Sequence, residues 1–426
     1  MFIHKKEILQ HLIDNRLEPL MELEEINLTN MSQLVSLPES IGELKNLRKL
    51  RIKQCTELRS LPESLGKLNN LEVLDLTGCY SLTALPTSLE ALNNLQELDL
   101  SDCIHLTSIP EIRGLQVLRL HGCFVGGVAL PTNFDKFEEL RVLHLTGMRY
   151  LTELPESICS LKNLQHLDVS FCPRLFRLPK NIGALKNLRI LNLSFCQGLN
   201  SLPHALGDLE LLDGLLLESC SSLKFLPKEL TQLPVLRGLV LDECTRLTRL
   251  PDTIGNLDCL ETLRLAGCRA LENLPESIKN LSNLRRLDIS QCFSLFRLPT
   301  ETIRSLKNLM YLNTEIPSFY CPHDRTLLGW KKCRDDLVVE LLIEATTPVD
   351  SPWGVKCVCK KAKVIGIESL DGSDAGVDTA KSLYDGKFVY KLGEEVEVEY
   401  FRPSTDNGIH FFLHREQAAA YEYGML

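Results

Sequence analysis

The sequence predicts an α/β solenoid built on a parallel sheet, followed by a small α+β domain. The first observation is a 24-residue repeat: residues 47–70 read LRKLRIKQCTELRSLPESLGKLNN, and residues 71–94 read LEVLDLTGCYSLTALPTSLEALNN. A fixed period of this length indicates one supersecondary unit that stacks on its own copies. The second observation is that the period ends near residue 316, after which β-rich segments follow.

Each repeat follows the frame Leu-x-x-Leu-x-Leu-x-x-Cys-x-x-Leu-x-x-Leu-Pro-x-x-Leu-x-x-Leu-x-x. The Leu-x-Leu part alternates with period two, which predicts a short strand with its leucines in the core and the intervening residues facing outward. After the cysteine the apolar spacing becomes three or four, which predicts a short helix or 3₁₀ return beginning at the proline. The twelve full repeats begin at Leu23, Leu47, Leu71, Leu95, Leu115, Leu140, Leu164, Leu188, Leu212, Leu236, Leu260 and Leu284.

Three segments follow from this pattern. Residues 1–22 place Ile8, Leu12 and other apolar residues at helical spacing, which favours an amphipathic cap over a frayed tail because solenoid ends need covering. Residues 23–316 hold the repeats, with a thirteenth, partial copy near the end, and residues 329–426 form the second domain. The repeat from Leu95 has 20 residues and the next has 25, with the insertion FVGGVALPTNF, which predicts a change in curvature or a protruding loop.

Composition and charge exclude several classes of function. The net charge of −9 and a pI near 5.7 argue against nucleic-acid binding, which depends on clustered Lys and Arg. No signal peptide is visible, and no stretch of about 18 apolar residues could cross a membrane. Ten of the sixteen cysteines share one frame position that Met31 and Met148 fill in two other repeats, which indicates buried reduced thiols. We therefore expect a cytoplasmic protein, or a nuclear one.

The array from about Leu23 to Leu312 resembles the leucine-rich repeat family. Its Cys-x-x-Leu-x-x-Leu-Pro form is similar to the subtype in intracellular plant disease-resistance receptors and related signalling proteins. That resemblance implies a protein-recognition surface, in signalling or defence. Unlike those receptors, the chain has no Gly-x-x-x-x-Gly-Lys-Ser/Thr phosphate loop, so no nucleotide-driven switch is predicted in it.

The C-terminal segment is predicted to contain strands at 337–345, 356–369, 386–401 and 408–413, a loop at 371–385 and a closing helix at 414–423. It resembles an uncharacterised module that ends repeat proteins of protists and large DNA viruses. The matching phrases are GWKKC (329–333), KCVC (356–359), KAKV (361–364), VYKLGE (389–394) and GIHFF (408–412). This resemblance implies a domain boundary and no activity.

No catalytic or cofactor motif is found, so we expect a non-enzyme without a cofactor. The chain has no His-Glu-x-x-His, no Gly-x-Ser-x-Gly and no glycine-rich phosphate loop. Cys333, Cys357 and Cys359 are the best metal candidates, with either His410 or the pair Cys321 and His323. Paired Cys-x₂-Cys knuckles are absent, which favours buried structural cysteines, and no metal is predicted.

The outward strand positions suggest where a partner binds. The residue between the two strand leucines (the inter-leucine position) is polar in every full repeat except for Leu216 and Val240. The predicted protein-binding residues are Asp168, Phe171, Ile190, Asn192, Phe195, Leu216, Glu218, Val240 and Asp242. An apolar patch with a polar rim is typical of a protein-binding site. Scattered surface hydrophobes are the alternative, and the basic cluster Lys49, Arg51 and Lys53 is either a second site or a solvated face.

These observations predict a monomeric protein-interaction scaffold or recognition subunit whose concave sheet, at repeats 7 to 10, binds another protein. We predict no nucleic-acid or membrane partner. Two alternatives remain open. The C-terminal module is a small ligand-binding or catalytic domain that the repeats deliver to a target, or the chain is an immune-type sensor that needs a separate signalling protein.

Overall fold

The computed structural model describes residues 5–123, 130, 133–295, 306–313, 327–343, 349–350, 356–370, 373–383, 388–398 and 409–412. It divides into two units. The first contains Met1–Cys244 and Asn256–Thr262, and the second contains Thr245–Gly255 and Leu263–Leu426. The protruding loop predicted around the insertion at 124–134 and the closing helix predicted at 414–423 lie largely or wholly outside the described residues.

Helix α1 (Lys5–Ile13) precedes the first strand. It buries Ile8 and Leu12, whereas Ile13 is exposed. The hydroxyl of Ser40 donates a 2.6 Å hydrogen bond to the carbonyl of Leu12, which links the end of the helix to repeat 1. The segment boundaries 1–22, 23–316 and 329–426 remain predictions.

The repeats form three-residue parallel strands whose middle leucine or isoleucine points into the core. In the first unit the strands follow chain order from β1 to β10, and each pairs in parallel with the next, for example Leu191 beside Leu215 and Leu215 beside Leu239. In the second unit β12 pairs with β13 in the same way. This parallel array confirms the predicted solenoid. The strands are β1 (Glu25–Asn27), β2 (Lys49–Arg51), β3 (Val73–Asp75), β4 (Glu97–Asp99), β5 (Val117–Arg119), β6 (Val142–His144), β7 (His166–Asp168), β8 (Ile190–Asn192), β9 (Gly214–Leu216), β10 (Gly238–Val240), β11 (Thr262–Arg264), β12 (Arg286–Asp288) and β13 (Tyr311–Asn313).

Ten of the described return segments are 3₁₀ helices, as the frame predicts, whereas the short return of the 20-residue repeat from Leu95 contains none. In repeat 2, for example, Pro62 has extended geometry (φ −72°, ψ 147°) and the amide of Leu68 closes the segment by donating to the carbonyl of Leu65. Proline suits this start because its fixed φ is already correct and its missing N–H has no helical acceptor there. The segments are η1 (Glu39–Glu43), η2 (Glu63–Lys67), η3 (Thr87–Ala91), η4 (Phe134–Lys136), η5 (Glu156–Ser160), η6 (Ile182–Ala184), η7 (His204–Asp208), η8 (Lys228–Gln232), η9 (Ile254–Asn256) and η10 (Glu276–Asn280).

The frame cysteines form a buried ladder along the first unit. The thiol of Cys196 donates to the carbonyl of Val169 and that of Cys220 donates to the carbonyl of Leu193, each at 3.2 Å. Both cysteines are fully buried and free of disulfides, which confirms the predicted buried thiols. Burial raises the pKa of Cys196 to about 12, so the thiol stays protonated and can donate. The ladder thus satisfies one carbonyl of the preceding repeat, a role that the sequence pattern did not reveal.

The C-terminal module is a second, antiparallel sheet of order β16-β17-β22-β14-β15-β18-β21, with β19 and β20 as a separate pair. Its core contains Leu341, Val364 and Phe411, all fully buried. The predicted loop at 371–385 was wrong in part, because Thr379–Lys381 pairs with Val389–Lys391, and a three-residue strand is too short to show a periodic pattern. The strands are β14 (Leu327–Lys332), β15 (Leu337–Ile343), β16 (Val349–Asp350), β17 (Lys356–Cys359), β18 (Lys361–Ser369), β19 (Thr379–Lys381), β20 (Val389–Lys391), β21 (Glu395–Glu397) and β22 (Ile409–Phe412).

Candidate protein-interaction surface

Three apolar side chains lie together on the outward face of strands β8 to β10. Ile190, Leu216 and Val240 are half-buried, whereas the middle leucine of each strand is fully buried. The parallel register places Leu216 beside Val240 and, on its other side, beside Asn192. We call Ile190, Leu216 and Val240 the apolar patch.

Asp168 and Asn192 occupy the inter-leucine position in β7 and β8, and both have a structural role. The Oδ1 atom of Asp168 accepts a 2.9 Å hydrogen bond from the amide of Ser170, and Oδ1 of Asn192 accepts one of 3.0 Å from the amide of Ser194. Asp75, Asp99 and Asp288 accept the amide two residues later in the same way. Asp and Asn favour such turns because their short side chains reach this amide.

Leu216 and Val240 cannot make that bond, because their side chains have no acceptor. Apolar residues at these two positions therefore give up the side-chain hydrogen bond that several other repeats make, although the turn itself is kept. They also leave apolar surface partly exposed to water, which stabilises nothing in the isolated chain. The fold does not account for the choice of leucine and valine here.

Phe171 and Phe195 form a stacked pair beside the patch, in the turns after β7 and β8. Their ring centroids are 4.5 Å apart with 5° between the planes, and Phe171 is 54% exposed. Both have positive φ, 57° and 62°. The position before the cysteine is left-handed in every full repeat, and is filled elsewhere by Asn30, Gln54, Gly78, Asp102, Gly122, Gly147, Ser219, Glu243, Gly267 and Gln291.

A phenylalanine in this conformation is costly, by roughly 1–2 kcal/mol for the backbone. Stacking of the two rings offsets about 0.5–1.5 kcal/mol of that cost. Strained residues tend to lie at functional sites, where the surrounding structure holds them in place. Phe171 and Phe195, called the phenylalanine pair below, therefore combine stacking, at least partial exposure and a conformation that Gly or Asn would adopt more easily.

Glu218 and Asp242, two of the three acidic residues predicted at the rim, differ in exposure. Glu218 is half-buried. Asp242 is only 4% exposed and does not lie on an exposed rim. The two residues share one frame position, which Ser170 and Ser194 fill in other repeats with 4% and 6% exposure, so the difference is not set by the frame.

A histidine pair that was not predicted from the sequence lies next to Asp168. His144 and His166 stack with centroids 5.3 Å apart, and Nδ1 of His144 lies 3.9 Å from Oδ2 of Asp168. Burial lowers the pKa of His144, His166 and Arg119 lower it further, and Asp168 opposes them. The signal was present in the sequence, since both histidines occupy outward strand positions of adjacent repeats.

The basic cluster predicted at the other end of the array is partly neutralised. Arg51 pairs with Glu25 of the preceding strand, and Nζ of Lys53 lies 2.8 Å from Oδ2 of Asp75. Pairing of this kind suits a solvated, charge-balanced face.

Nothing in the described part of the module assembles a metal site. Among the residues that the structure describes, no group of three or more His, Cys, Asp or Glu side chains is placed to hold a metal ion. Cys333 and Cys359 are buried, and burial raises the pKa of the Cys333 thiol to about 12. Cys321 and His323 lie outside the described residues.

Comparison with known families agrees with the repeat geometry. A model described as a leucine-rich repeat region matches residues 100–244 and 215–324. The chain belongs to the leucine-rich repeat family. A second model, a family of unknown function (DUF5758), matches residues 317–418 and so covers most of the C-terminal module. No curated protein matches the chain.

Several solved leucine-rich repeat structures are similar to the chain. A leucine-rich repeat protein of Leptospira interrogans is 31% identical over 65% of this chain and 75% of its own, with a TM-score of 0.47. The leucine-rich repeat domain of the type III effector XopL is 27% identical over 55% and 82%, with a TM-score of 0.48. An internalin of Listeria monocytogenes is 16% identical over 72% and 92%, with a TM-score of 0.46. Within the described residues, no helix is long and apolar enough to cross a bilayer.

Proposed function

We propose that this leucine-rich repeat protein is a non-enzymatic scaffold that binds another protein through the predicted concave face of repeats 7 to 10. Membership of the family supports a protein-interaction role in general. The similarity of its repeats to those of plant disease-resistance receptors supports a place in signalling or defence. The buried, disulfide-free cysteines support a reducing compartment, the cytosol or the nucleus.

One observation carries the choice of surface. The apolar patch lies on the strands next to the phenylalanine pair, of which Phe171 is exposed and Phe195 half-buried, and the fold requires neither feature at its position. Interaction hot spots are enriched in aromatic residues that cluster with apolar neighbours at the centre of an interface. Asp168 and Glu218 provide polar groups beside the patch. Apolar surface with a polar rim is the usual form of a protein-binding site.

The test is a pull-down from cell extract with the full-length chain and two variants. The first variant carries Leu216→Asp and Val240→Asp, which place charges in the patch. The matched control is Phe225→Asp, which changes a 50% exposed apolar residue of repeat 9 outside the strands. Circular dichroism establishes that all three proteins are folded.

We expect a partner that binds the wild type and the control and is lost with the double variant. Burying two carboxylates against an apolar partner surface is unfavourable, which is the physical reason for the loss. Partners that bind all three proteins equally would contradict the choice of surface. Partners lost equally with Phe225→Asp would point to another face of the repeats.

A further inference from the structure

Gly214 and Gly238 occupy the first position of strands β9 and β10, next to the apolar patch. The same strand position holds valine in three other repeats, Val73, Val117 and Val142. Glycine weakens a strand because it loses more conformational freedom on folding and contributes no side chain to packing. Two adjacent glycines at this point therefore need a reason.

Neither steric packing nor backbone conformation requires these glycines. A Cβ atom at Gly238 would meet no atom within 4 Å. At Gly214 it would lie 3.9 Å from Cδ1 of Leu216 and 4.0 Å from Cγ1 of Ile190, which is ordinary van der Waals contact. Neither glycine has a positive φ.

The other described glycines of the repeats are required either by steric packing or by backbone conformation. In one group a Cβ atom would lie 2.0–2.8 Å from a backbone oxygen of another repeat: Gly42, Gly66, Gly114, Gly183, Gly198, Gly207 and Gly255. In the other group φ is positive: Gly78, Gly122, Gly147 and Gly267. Gly214 and Gly238 differ from both groups, and glycine inside a strand often marks a place where a ligand or another backbone approaches closely.

The two glycines leave a slot in the surface. Because they lie side by side in the parallel register, they expose bare backbone across two strands. Ile190 of β8 lies beside Gly214 in the parallel register and borders the slot on that side. Leu216, two residues after Gly214 in β9, borders the slot along the strand. Such a border suits a bulky apolar side chain, which would gain contact with both residues.

The charge around the slot is negative. At the outward positions of β7 to β10 and at the two positions before the cysteine that follows each strand, the described charged residues are carboxylates, namely Asp168, Glu218, Glu243 and the buried Asp242. Arg189 and Arg237 lie one residue before β8 and β10, and Nε of Arg237 is 3.6 Å from Oδ1 of Asp213, which balances its charge. The phenylalanine pair adds exposed aromatic faces, which attract cations. A partner with positive charge is therefore complementary to this face.

We propose that Gly214 and Gly238 form a slot that receives a bulky apolar side chain from an extended, positively charged segment of the partner protein. This inference rests on the proposed function and adds the chemistry of the partner. An extended segment can lie along these strands because its residues rise about 3.3 Å each, as those of the strands do.

The experiment selects peptides on the full-length chain from a library of random dodecapeptides displayed on phage. The selected sequences are synthesised, and their Kd values are measured on the wild type and on a variant with Gly214→Val and Gly238→Val. Valine is native at this position in other repeats, so the variant should fold, and its melting temperature checks this. Lys49→Val, which introduces valine at the same position of the distant strand β2, is the control.

We expect selected peptides with net positive charge and a large apolar residue. Their affinity should fall at least about tenfold in the double valine variant, because filling the slot removes the space for that residue. Lys49→Val should leave it unchanged. Should the valine variant not fold, Gly214→Ala with Gly238→Ala fits without a clash and should still reduce affinity.

Other outcomes overturn the inference. Selection of acidic peptides or of none, or unchanged affinity in the valine variant, contradicts the slot. A further variant, Leu216→Ser with Val240→Ser, separates this failure from a failure of the proposed function. Peptides that tolerate valine in the slot but are lost with the serine variant would refute the slot and retain the apolar patch. Peptides that tolerate both variants would refute both.

Discussion

Replacement of Leu193 by aspartate tests whether the inward and outward positions of the frame are assigned correctly. Leu193 is fully buried in repeat 8, and its carbonyl accepts the thiol of Cys220. Truncation of a buried leucine costs about 2–5 kcal/mol. A buried carboxyl group without a partner adds about 1–3 kcal/mol of desolvation. The total of about 3–8 kcal/mol is comparable with the 5–15 kcal/mol that stabilises a typical domain.

Urea unfolding followed by circular dichroism measures this loss, and limited proteolysis locates it. Because each repeat contacts only its neighbours, we expect the cleavage sites to appear first in repeats 7 to 9. Leu216→Asp is the matched control, since this leucine is half-buried on the outward face and its replacement should cost less than about 1 kcal/mol. Equal destabilisation by the two variants would show that the frame is displaced by one residue.

Two further predictions concern titratable groups. A thiol reagent near neutral pH should modify the half-buried Cys259 well before the ladder cysteines Cys196 and Cys244. The reason is that burial raises the pKa of both ladder thiols to about 12. Rapid modification of the ladder cysteines in the folded chain would contradict their burial. The pKa of His144 is lowered on folding, chiefly by burial, so the unfolded chain binds its proton more readily and stability should fall as the pH drops below about 6.5. His144→Gln should reduce that fall in melting temperature, and an identical pH profile in the variant would refute the role of His144.

The repeat array could be predicted from the sequence because its signal is redundant. Each strand has only three residues, too few for a periodic pattern on its own, but the same leucine spacing recurs in twelve full repeats. The inward and outward positions then follow from the strand geometry alone. The module has no such redundancy, which is why the strand Thr379–Lys381 was assigned to a loop.

Backbone conformation and depth were harder to predict than position. Nothing in the residue type of Phe171 or Phe195 indicates a left-handed backbone, and only alignment with Gly78 or Gly122 at the same frame position would have done so. Asp242 is buried although its polarity predicts exposure, and Glu218 at the same frame position is half-buried. A left-handed backbone is unfavourable for phenylalanine, and burial is unfavourable for aspartate. Both are determined by the surrounding fold, so they cannot be predicted from the propensities of single residues.

Departures from the frame become informative once its structural demands are known. The inter-leucine position favours Asp or Asn because the following amide needs an acceptor, as Asp168 and Asn192 show. The position before the cysteine favours residues that tolerate positive φ. Repeats 9 and 10 depart from the first preference, with Leu216 and Val240, and repeats 7 and 8 depart from the second, with the phenylalanine pair. Sequence choices that oppose local structural preference are expected where function has set the residue, and here they converge on one face.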